Sequence, residues 1–450
     1  MQYRLRVQTD GQNVGAIEYD AHQESYRFDY APEWRNRRGA FPLSPRIPLH
    51  GGEQVRSGVI QRFLANLLPE GRALDVASIA YQLSKTNTFG LTRRLGAEPV
   101  GALSFLPDTD DTFERSATAP TRRAIADEEL AERIRDRDGI PFPVWDGRVR
   151  LSIAGYQDKL QVMVEGERLS LVEHPLSSTH ILKPESRNPH MPFMVANEHF
   201  CMSLAAALDL SVAPVRIRRT PEPVLLIERF DRIVETSMSS ANEVLAVRRR
   251  HVVDACQALD LPVDFKYERN LGHNVDVQYV RDGVSFEKIF SLQADFDNPA
   301  LARMFITRWA LLQLLIGNSD AHGKNLSFFQ AAGGLSPTPM YDLVSVYVYG
   351  DTVEQEMAMA YGDAFRLEEI SAFQLADFAH RAKIRPTLIS REITRLANAA
   401  LVHAPVLARS DTYTAEEKAF LNRLAAFVGK QARALLQVAP MIAQVDRDLL

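Results

Sequence analysis

Hydrophobic and polar positions alternate along the first part of the chain. Tyr3–Val7 and Val14–Tyr19 have the two-residue period of half-buried strands, and Val100–Leu106 closes this region in the same way. Between them, apolar residues from Ile60 to Leu68 recur at helical spacing after Ser57, a residue type common at helix N-caps. The pattern therefore predicts a module that is mostly strand and contains one helix.

Beyond Pro107 the pattern changes twice. A polar stretch resembles a linker and leads to a short acidic helix. After it, strands, two of them joined by a hairpin turn at Glu165–Gly166, surround a long helix at about 192–208. The later part is mainly helical, except for a strand–turn–strand patch from Leu326 to Met340 and onward. The predicted segments are a β-rich module (1–107), a linker with a short helix (108–140), a β-rich lobe (141–235) and a helical lobe (236–450).

Composition and charge exclude several classes of protein. Of 450 residues, 52 are Lys or Arg and 57 are Asp or Glu, so a polycation that coats nucleic acid is excluded. Two cysteines, Cys201 and Cys256, cannot build a disulfide framework or a multi-cysteine zinc site. The start, Met1–Arg6, carries charges where a signal peptide needs apolar residues, and the longest apolar run, Trp309–Gly317, is about half a membrane span. We expect a cytoplasmic protein that does not contact the membrane.

The densest polar cluster is Asn318–Asn325, directly after that apolar run. Asp320 and Asn325 have the spacing of a phosphoryl-transfer loop, in which the aspartate orients a substrate hydroxyl and the asparagine holds a metal ion. Asp342 follows behind a probable hairpin, where a second carboxylate could bind Mg²⁺. For Asn318 or Asp320 alone, a helix cap or an Asx turn explains the residue as well.

Several weaker signals precede this loop. Ala154 and Gly155 lie at the bend between two strands, where small residues would let backbone amides approach a phosphate, although an ordinary hairpin has the same pattern. Lys183 ends a strand, as the phosphate-pairing lysine of kinases does, but a lysine there is usually solvated. Glu198, on the long helix, could pair with Lys183 or be a surface carboxylate. Residues 228–232 leave an apolar strand at a lobe junction, where adenine could bind.

The order of these features is the order that a two-lobed kinase requires, and the motifs resemble those of the HipA family, bacterial serine/threonine-kinase toxins of toxin–antitoxin modules. The resemblance covers nearly the whole chain. The motifs that carry it are Tyr30–Trp34, Pro42–Leu49, Asn66–Pro69, Val100–Ala102, Leu151–Lys159, Asn197–Glu198, Glu228–Arg232, Asp254–Leu259, Lys266–Glu268, Leu315–Asn325 and Tyr341–Leu343.

The resemblance implies a role for individual residues. Asp320 would be the catalytic base, Asn325 and Asp342 would hold Mg²⁺, and Ser152 matches the serine that the family autophosphorylates. A phosphate on Ser152 would stop the loop from folding over ATP and so inactivate the enzyme. The residues implied to line the ATP site are Ala154, Gly155, Tyr156, Gln157, Asp158, Lys159, Lys183, Glu228, Arg229, Phe230, His322, Gly323, Lys324, Asn325, Tyr341 and Asp342.

The resemblance also implies a fold and partners. The fold is α+β: a small β-barrel-like N-terminal module, a two-lobed protein-kinase-like core and a mostly helical C-terminal lobe. The cofactors are ATP and Mg²⁺. The partner is a HipB-like helix-turn-helix antitoxin, and that complex binds operator DNA to repress its own operon. The substrate class is translation proteins such as aminoacyl-tRNA synthetases, whose phosphorylation inhibits growth.

Two positions depart from the commonest family pattern. The small residues after Asp320 and His322 are exchanged with each other relative to that pattern, and neither side chain takes part in phosphoryl transfer. Tyr156 is bulky where a small residue is expected, which bears on loop closure and on target choice. Two further functions stay open: a kinase of the same fold that acts on a small molecule, and a catalytically silent co-repressor. The basic runs Arg216–Arg219 and Arg248–Arg250 could contact DNA phosphates or form solvated faces.

Overall fold

The computed structural model describes residues 1–51, 54–108, 121–150, 157–173, 176–237 and 243–450. The chain divides into two compact units, each assembled from separate segments. The first unit consists of residues 1–184, 218–253 and 329–334. The second unit consists of residues 185–217, 254–328 and 335–450. The four segments expected from the sequence, with their boundaries, stay a prediction.

The first unit begins with an antiparallel sheet. Its strands are β1 (Gln2–Thr9), β2 (Gln12–Asp20), β3 (Ser25–Tyr30) and β4 (Ser104–Pro107). They are ordered β3-β2-β1-β4, so β3 and β4 form its two edges. Leu5 and Val7 of β1 are fully buried, because alternate side chains of a strand point to one face. The barrel-like closure implied by the resemblance is not confirmed, since this sheet has open edges.

Helices fill much of the region between β3 and β4. They are α1 (Pro32–Arg35), α2 (Ser57–Ala65), α3 (Gly71–Tyr81) and α4 (Thr88–Leu95). The expectation of a mostly stranded module with one helix is therefore wrong for this region. Asn87 caps α4 by accepting a hydrogen bond from the amide of Gly90 at 2.8 Å. Ser57 does not cap α2; its hydroxyl accepts the amide of Tyr26 instead.

The rest of the first unit contains a larger sheet. Strand β5 (Arg122–Ile125) is followed by helix α5 (Asp127–Arg135). The later strands, in chain order, are β6 (Val144–Trp145), β7 (Arg148–Val149), β8 (Leu160–Glu165), β9 (Arg168–Val172), β10 (His180–Pro184), β11 (Val215–Arg219), β12 (Pro223–Glu228), β13 (Arg232–Thr236) and β14 (Val244–Arg249). Six strands pair in the order β11-β12-β10-β8-β9-β5, and the two remaining pairs are β6-β7 and β13-β14. Gly166, at φ 63°, lies in the hairpin turn that joins β8 to β9, as predicted.

A hydrophobic core packs around this sheet and α5. Leu130, Phe142, Leu160, Val162 and Leu182 are fully buried in one cluster. The short acidic helix predicted from the sequence corresponds to α5, whose apolar face contributes to this core. The sheet and its core hold β8, β10 and β12 in register, and the candidate residues of the first unit lie on or next to these strands.

The second unit is mainly helical. Its helices are α6 (Met194–Ala207), α7 (Ala255–Leu259), α8 (Phe286–Ser291), α9 (Pro299–Ile316), α10 (Ala372–Arg381), α11 (Pro386–Leu407) and α12 (Ala415–Ile442). Strands β15 (Val252–Asp254), β16 (Ser327–Ala331) and β17 (Gly334–Pro337) form a three-stranded sheet. Mixed α and β structure with a mostly helical C-terminal part is confirmed. The strand expected from Met340 onward is wrong, since Met340 makes one isolated bridge with Val212.

Helix α9 is longer than the apolar run suggested. Its 18 residues are apolar enough to cross a membrane by length and composition, and 61% of them are buried inside the protein. Trp309 and Leu312 on this helix are almost wholly enclosed. This burial is typical of a core helix, which explains its apolar composition.

Candidate functional site

The polar loop Asn318–Asn325 follows directly after helix α9 and Gly317. The helix ends at Gly317, whose φ of 65° lies in the left-handed region that favours glycine. A Cβ atom at this position would come within 2.6 Å of the Phe427 ring. Both the backbone conformation and the close packing therefore require glycine where the loop begins.

The loop is organised by hydrogen bonds to its own backbone. The Asn318 side chain accepts the amide of Asp320 at 3.2 Å, which is the Asx turn considered from the sequence. The carbonyl of Asp320 accepts the amide of His322 at 2.8 Å and the side-chain amide of Asn325 at 2.9 Å. The loop thus folds back on itself and brings Asp320 and Asn325 together, while Asp320 itself is exposed.

Tyr341 ties the segment before Asp342 to this loop. Its hydroxyl donates to the carbonyl of Lys324 at 2.7 Å and lies 2.6 Å from the hydroxyl of Ser327. Because the tyrosine proton is used toward the carbonyl, the serine must donate to the tyrosine oxygen. Burial raises the pKa of Tyr341 well above its usual range, so it stays a neutral donor. The next residue, Asp342, is half-buried with φ 55°.

Asp342 also lies close enough to the loop to influence its titration. Burial lowers the pKa of His322 to about 3, helped by the positive charges of Lys266 and Lys324, and the Asp342 carboxylate acts in the opposite direction. His322 is therefore neutral at physiological pH. The second unit accordingly brings Asp320, Asn325 and Asp342 into one neighbourhood.

The residues of this neighbourhood fit a hard divalent cation. Since the Asn325 amide nitrogen is used toward the Asp320 carbonyl, its Oδ1 atom is the one that would face a cation. With the Asp342 carboxylate, this gives the oxygen ligands that Mg²⁺ prefers. No group of three or more His, Cys, Asp or Glu suited to a metal occurs in the described part of the chain. That result fits Mg²⁺, which is usually held by one or two carboxylates together with substrate phosphates.

Lys324 has a partner within its own unit. Its ammonium lies 2.7 Å from Asp254 Oδ2, and the exposed fractions of the two side chains are 4% and 12%. Asp254 also caps α7, because its Oδ1 atom accepts the amide of Gln257 at 2.8 Å. Lys324 therefore holds the loop to the start of α7, and its role toward ATP stays a prediction. Gly323, beside it, packs so tightly that a Cβ atom would meet Val284 at 2.5 Å.

In the first unit, two lysines lie on neighbouring strands. Leu160 of β8 is opposite Leu182 of β10, and continuing this register by one residue puts Lys159 opposite Lys183. Each lysine is 7% exposed, so the interpretation of Lys183 as a solvated strand-end residue is wrong. Directly opposite residues of an antiparallel pair project to the same face. The sheet thus concentrates positive charge at one place in the first unit.

The other residues implied for the nucleotide loop are only partly described. Gln157 and Asp158 are half-buried, and burial raises the pKa of Asp158 despite the opposing charges of Arg137 and Arg72. Ser152, Ala154, Gly155 and Tyr156 lie outside the described residues. Their predicted roles stay predictions.

The predicted hinge, Glu228–Phe230, leaves β12. Glu228 is exposed and Phe230 is half-buried. The Arg229 guanidinium donates to Asp231 Oδ1 at 3.0 Å and Oδ2 at 2.8 Å, and its amide donates to the carbonyl of Thr179 at 2.9 Å. The Arg229 carbonyl also accepts the amide of Arg232 at 3.2 Å, so the side chain and backbone of Arg229 serve the fold. The predicted roles of Glu228, Arg229 and Phe230 toward adenine stay predictions.

Glu198 and Arg249, a residue of the second basic run, are more buried than a surface position would be. Glu198 on α6 is 1% exposed, so a surface carboxylate is excluded, and its pairing with Lys183 stays a prediction. Arg249 donates to the carbonyls of Gly101 and Leu103 at 3.0 and 2.7 Å, so it is not part of a solvated face. Burial and the charge of Arg232 lower the pKa of Arg249 to about 9.

One contact at the loop was not anticipated from the sequence. The hydroxyl of Tyr267 donates to Asp320 Oδ1 at 2.5 Å, and its ring meets the His322 ring edge-on with centroids 5.0 Å apart. Tyr267 belongs to the motif Lys266–Glu268, which supports the family resemblance but carries no chemical signal of its own. The contact spans 53 residues of sequence, so the local pattern could not show it.

Comparison with known proteins agrees with this geometry. Residues 5–106 match the family model described as the HipA N-terminal domain, and residues 151–404 match the HipA-like C-terminal domain. The chain is 42% identical to the serine/threonine-protein kinase toxin HipA of Shewanella oneidensis, over 85% of this chain and 84% of that protein. It is 33% identical to the Sinorhizobium fredii protein Y4mE, over 95% of this chain and 97% of that protein.

A solved structure shows the same similarity in three dimensions. It is the complex of HipA, HipB and operator DNA from the Shewanella oneidensis MR-1 toxin–antitoxin system. The match has a TM-score of 0.86 at 38% identity and covers 98% of this chain and 100% of that chain. The resemblance drawn from the motifs is confirmed: the chain belongs to the HipA family of serine/threonine-protein kinase toxins.

Proposed function

We propose that this chain transfers the γ-phosphoryl group of ATP to a serine or threonine hydroxyl of a protein, with Mg²⁺ as the metal ion. The observation that carries the proposal is the loop in which the Asn325 side chain donates to the Asp320 carbonyl, while Tyr341, the residue before Asp342, donates to the Lys324 carbonyl of the same loop. This arrangement supplies an exposed carboxylate for the hydroxyl and two oxygen ligands for a cation.

In the proposed reaction, the substrate hydroxyl oxygen forms a bond to the γ-phosphorus while the bond from that phosphorus to the β–γ bridging oxygen breaks. ADP leaves, and the hydroxyl proton passes to the Asp320 carboxylate. Bound Mg²⁺, held by Asn325 and Asp342, would neutralise charge on the phosphates. Asp320 orients the attacking oxygen, so this chain contributes by positioning rather than by a covalent intermediate.

The residues that we propose for nucleotide binding are those that the family resemblance implies. Lys159 and Lys183 supply buried positive charge suited to phosphate oxygens. Gln157 and Asp158, the segment 228–230, His322–Asn325 and Tyr341 complete the proposed lining. The four-segment division, with a nucleotide-binding lobe at 141–235 and a catalytic lobe at 236–450, belongs to the same proposal.

The biological role that we propose is that of the toxin in a toxin–antitoxin module. The related Shewanella structure contains HipA, HipB and operator DNA, which supports a HipB-like antitoxin as partner and contact with DNA through that complex. The proposed substrate class is a translation protein such as an aminoacyl-tRNA synthetase in the cytoplasm, and Ser152 is the proposed autophosphorylation site. Gel shifts on operator DNA, with and without the antitoxin, would test the partner.

The deciding experiment is the intact mass of the purified protein after incubation with ATP and Mg²⁺. Wild type should gain one phosphate, about 80 Da. Asp320→Ala should gain none while remaining folded with a cooperative thermal transition, because an exposed loop carboxylate contributes little to the core. Ser152→Ala should also gain none if that serine is the acceptor.

Other outcomes of this experiment are equally informative. Phosphate gain in Asp320→Ala would contradict the assignment of Asp320. A wild-type protein that starts unmodified, binds ATP and gains no phosphate would favour a small-molecule kinase or a silent co-repressor.

A further inference from the structure

The contact between Tyr267 and Asp320 is the strongest feature of the loop that the proposed mechanism does not yet use. The tyrosine hydroxyl donates to Oδ1 of the carboxylate at 2.5 Å. A hydrogen bond to an ionised acceptor is short and directional, so it restricts rotation of the carboxylate.

The backbone on each side of Tyr267 is fixed to the same loop. The carbonyl of Lys266 accepts the amide of Gly323 at 2.9 Å. On the other side, the amide of Glu268 donates to the carbonyl of Ala358 at 2.9 Å, and the amide of Ala358 donates to the carbonyl of Ser319 at 3.0 Å. Tyr267 is therefore held relative to Asp320 through hydrogen bonds to both ends of the loop.

Packing makes this segment rigid. Glu268 is 1% exposed, and its carboxylate accepts the amide of Ala360 at 2.8 Å and the Arg281 guanidinium at 2.5 Å. A Cβ atom on Gly283 would lie 1.7 Å from the carbonyl oxygen of Tyr267, so glycine is required for this close approach. The edge-on contact with the buried His322 ring fixes the plane of the tyrosine.

We propose that Tyr267 is a positioning residue, which holds the Asp320 carboxylate in the orientation that receives the substrate hydroxyl. This inference rests on the proposed kinase function. Tyr267 acts through Asp320 and contacts neither the nucleotide nor the metal in this proposal. Its removal should slow the chemical step and leave ATP binding intact, because the misplaced group affects only the attacking oxygen.

The first test is the rate of autophosphorylation at saturating ATP and Mg²⁺. Tyr267→Phe removes the hydroxyl and keeps the ring against His322. We expect the rate to fall about tenfold, as for loss of one hydrogen bond to a charged group. The ATP concentration at half-maximal rate should stay unchanged. The matched control is Tyr279→Phe, since Tyr279 is 82% exposed in the following loop, and its rate should equal that of wild type.

A second test does not depend on activity. If the hydroxyl acts on Asp320, Tyr267→Phe should lower the melting temperature in wild type and leave it unchanged in an Asp320→Ala background, because coupled residues are not additive. An equal shift of the melting temperature in both backgrounds would overturn the inference. An unchanged autophosphorylation rate in Tyr267→Phe would overturn it too, and so would a slower rate that is fully explained by a higher half-maximal ATP concentration. Absence of any phosphoryl transfer by wild type is a different result, which removes the kinase function itself.

Discussion

The ammonium of Lys324 and the carboxylate of Asp254 form a buried ion pair 2.7 Å long, which joins the loop Asn318–Asn325 to the first turn of α7. The two residues are 70 positions apart in sequence. The exposed fractions of the two side chains are 4% and 12%, so little water is available to compensate either charge, and each partner compensates the charge of the other. The pair therefore stabilises the position of the loop whatever its role toward ATP.

Lys324→Met tests this dependence. Removing the lysine leaves the Asp254 carboxylate buried without its cation, which we expect to cost about 3 kcal/mol of unfolding free energy. Adding Asp254→Asn to Lys324→Met should recover much of that loss, because asparagine also caps helices and carries no charge. Denaturant titration measures both values.

A matched control is Lys418→Met. Lys418 pairs with Asp411 at 3.1 Å, but the Asp411 side chain is fully exposed. Such surface pairs contribute less than about 1 kcal/mol, so this variant should be close to wild type. Equal losses in Lys324→Met and Lys418→Met would show that burial of the pair has no energetic consequence.

The sequence predicted those parts of the site that lie close together along the chain. The spacing of Asp320 and Asn325, the apolar helix before them and the turn at Gly166 are local patterns, and the structure has them in place. The helix predicted at about 192–208 is α6, Met194–Ala207. Local patterns succeed here because helix periodicity and turn chemistry depend on near neighbours.

The sequence could not show which charged residues are buried or which distant residues meet. Lys183 and Glu198 are charged, and charged residues are almost always exposed unless paired, so their burial contradicts the simplest expectation. The Tyr267–Asp320 bond depends on how distant segments pack, which no periodicity encodes. Helices α3 and α4 were not predicted, and α3 begins at Gly71, a residue type that more often follows the end of a helix.

Asp231 is the centre of a buried charge network in the first unit. It accepts hydrogen bonds from Arg229, from Arg232 at 2.7 Å and from the amide of Gly101 at 2.8 Å. Asp231→Ala would remove the nearer of two anions shared by Arg229 and Arg232, since Glu98 lies 3.9 and 3.4 Å from them. We therefore expect a loss of about 3 kcal/mol in unfolding free energy. Glu235→Ala, which breaks an exposed pair with Arg248, is the control and should cost less than about 1 kcal/mol.

The same residue predicts a dependence on acid. Burial alone would raise the pKa of Asp231, but the charges of Arg229 and Arg232 outweigh it and hold the pKa well below its usual range. Because the pKa of Asp231 is lower in the folded chain than in the unfolded chain, its ionised carboxylate stabilises the fold. This stabilisation is complete above the unfolded-state pKa of about 3.9 and is lost as the pH falls below it. Asp231→Asn should therefore show a shallower loss of unfolding free energy below about pH 4. A slope equal to that of wild type would contradict this assignment.

His251 predicts a second pH dependence in a higher window. The ring is 4% exposed, its Nε2–H donates to the carbonyl of Leu43 at 2.8 Å, and burial lowers its pKa to about 4. Between the folded-state pKa and the unfolded-state pKa of about 6.5, the unfolded chain binds more protons than the folded chain does. The free energy of unfolding therefore rises with pH across this window. Lowering the pH from 6.5 to 5 should therefore cost about 2 kcal/mol through this group alone.

His251→Gln isolates that contribution. Glutamine keeps an N–H donor for the Leu43 carbonyl and does not titrate, so the variant should lose less stability than wild type between about pH 6.5 and 4.5. His22→Gln, at an exposed position, should follow the wild-type curve. Parallel curves for wild type and His251→Gln would mean that His251 is not the titrating group.

Lys159 and Lys183 allow the nucleotide site to be tested without a protein substrate. Both lysines are 7% exposed, and the register of β8 and β10 puts them on the same face, so the phosphates of ATP bound there would interact with both ammonium groups. Lys159→Met and Lys183→Met should each weaken ATP binding about tenfold, or about 1.4 kcal/mol, while adenosine, which lacks phosphates, should bind as to wild type. Isothermal titration with both ligands measures the difference, and exposed Lys85→Met is the control. If the variants lost ATP and adenosine affinity equally, the lysines would act on the fold of the lobe, and an unchanged ATP affinity would remove them from the site.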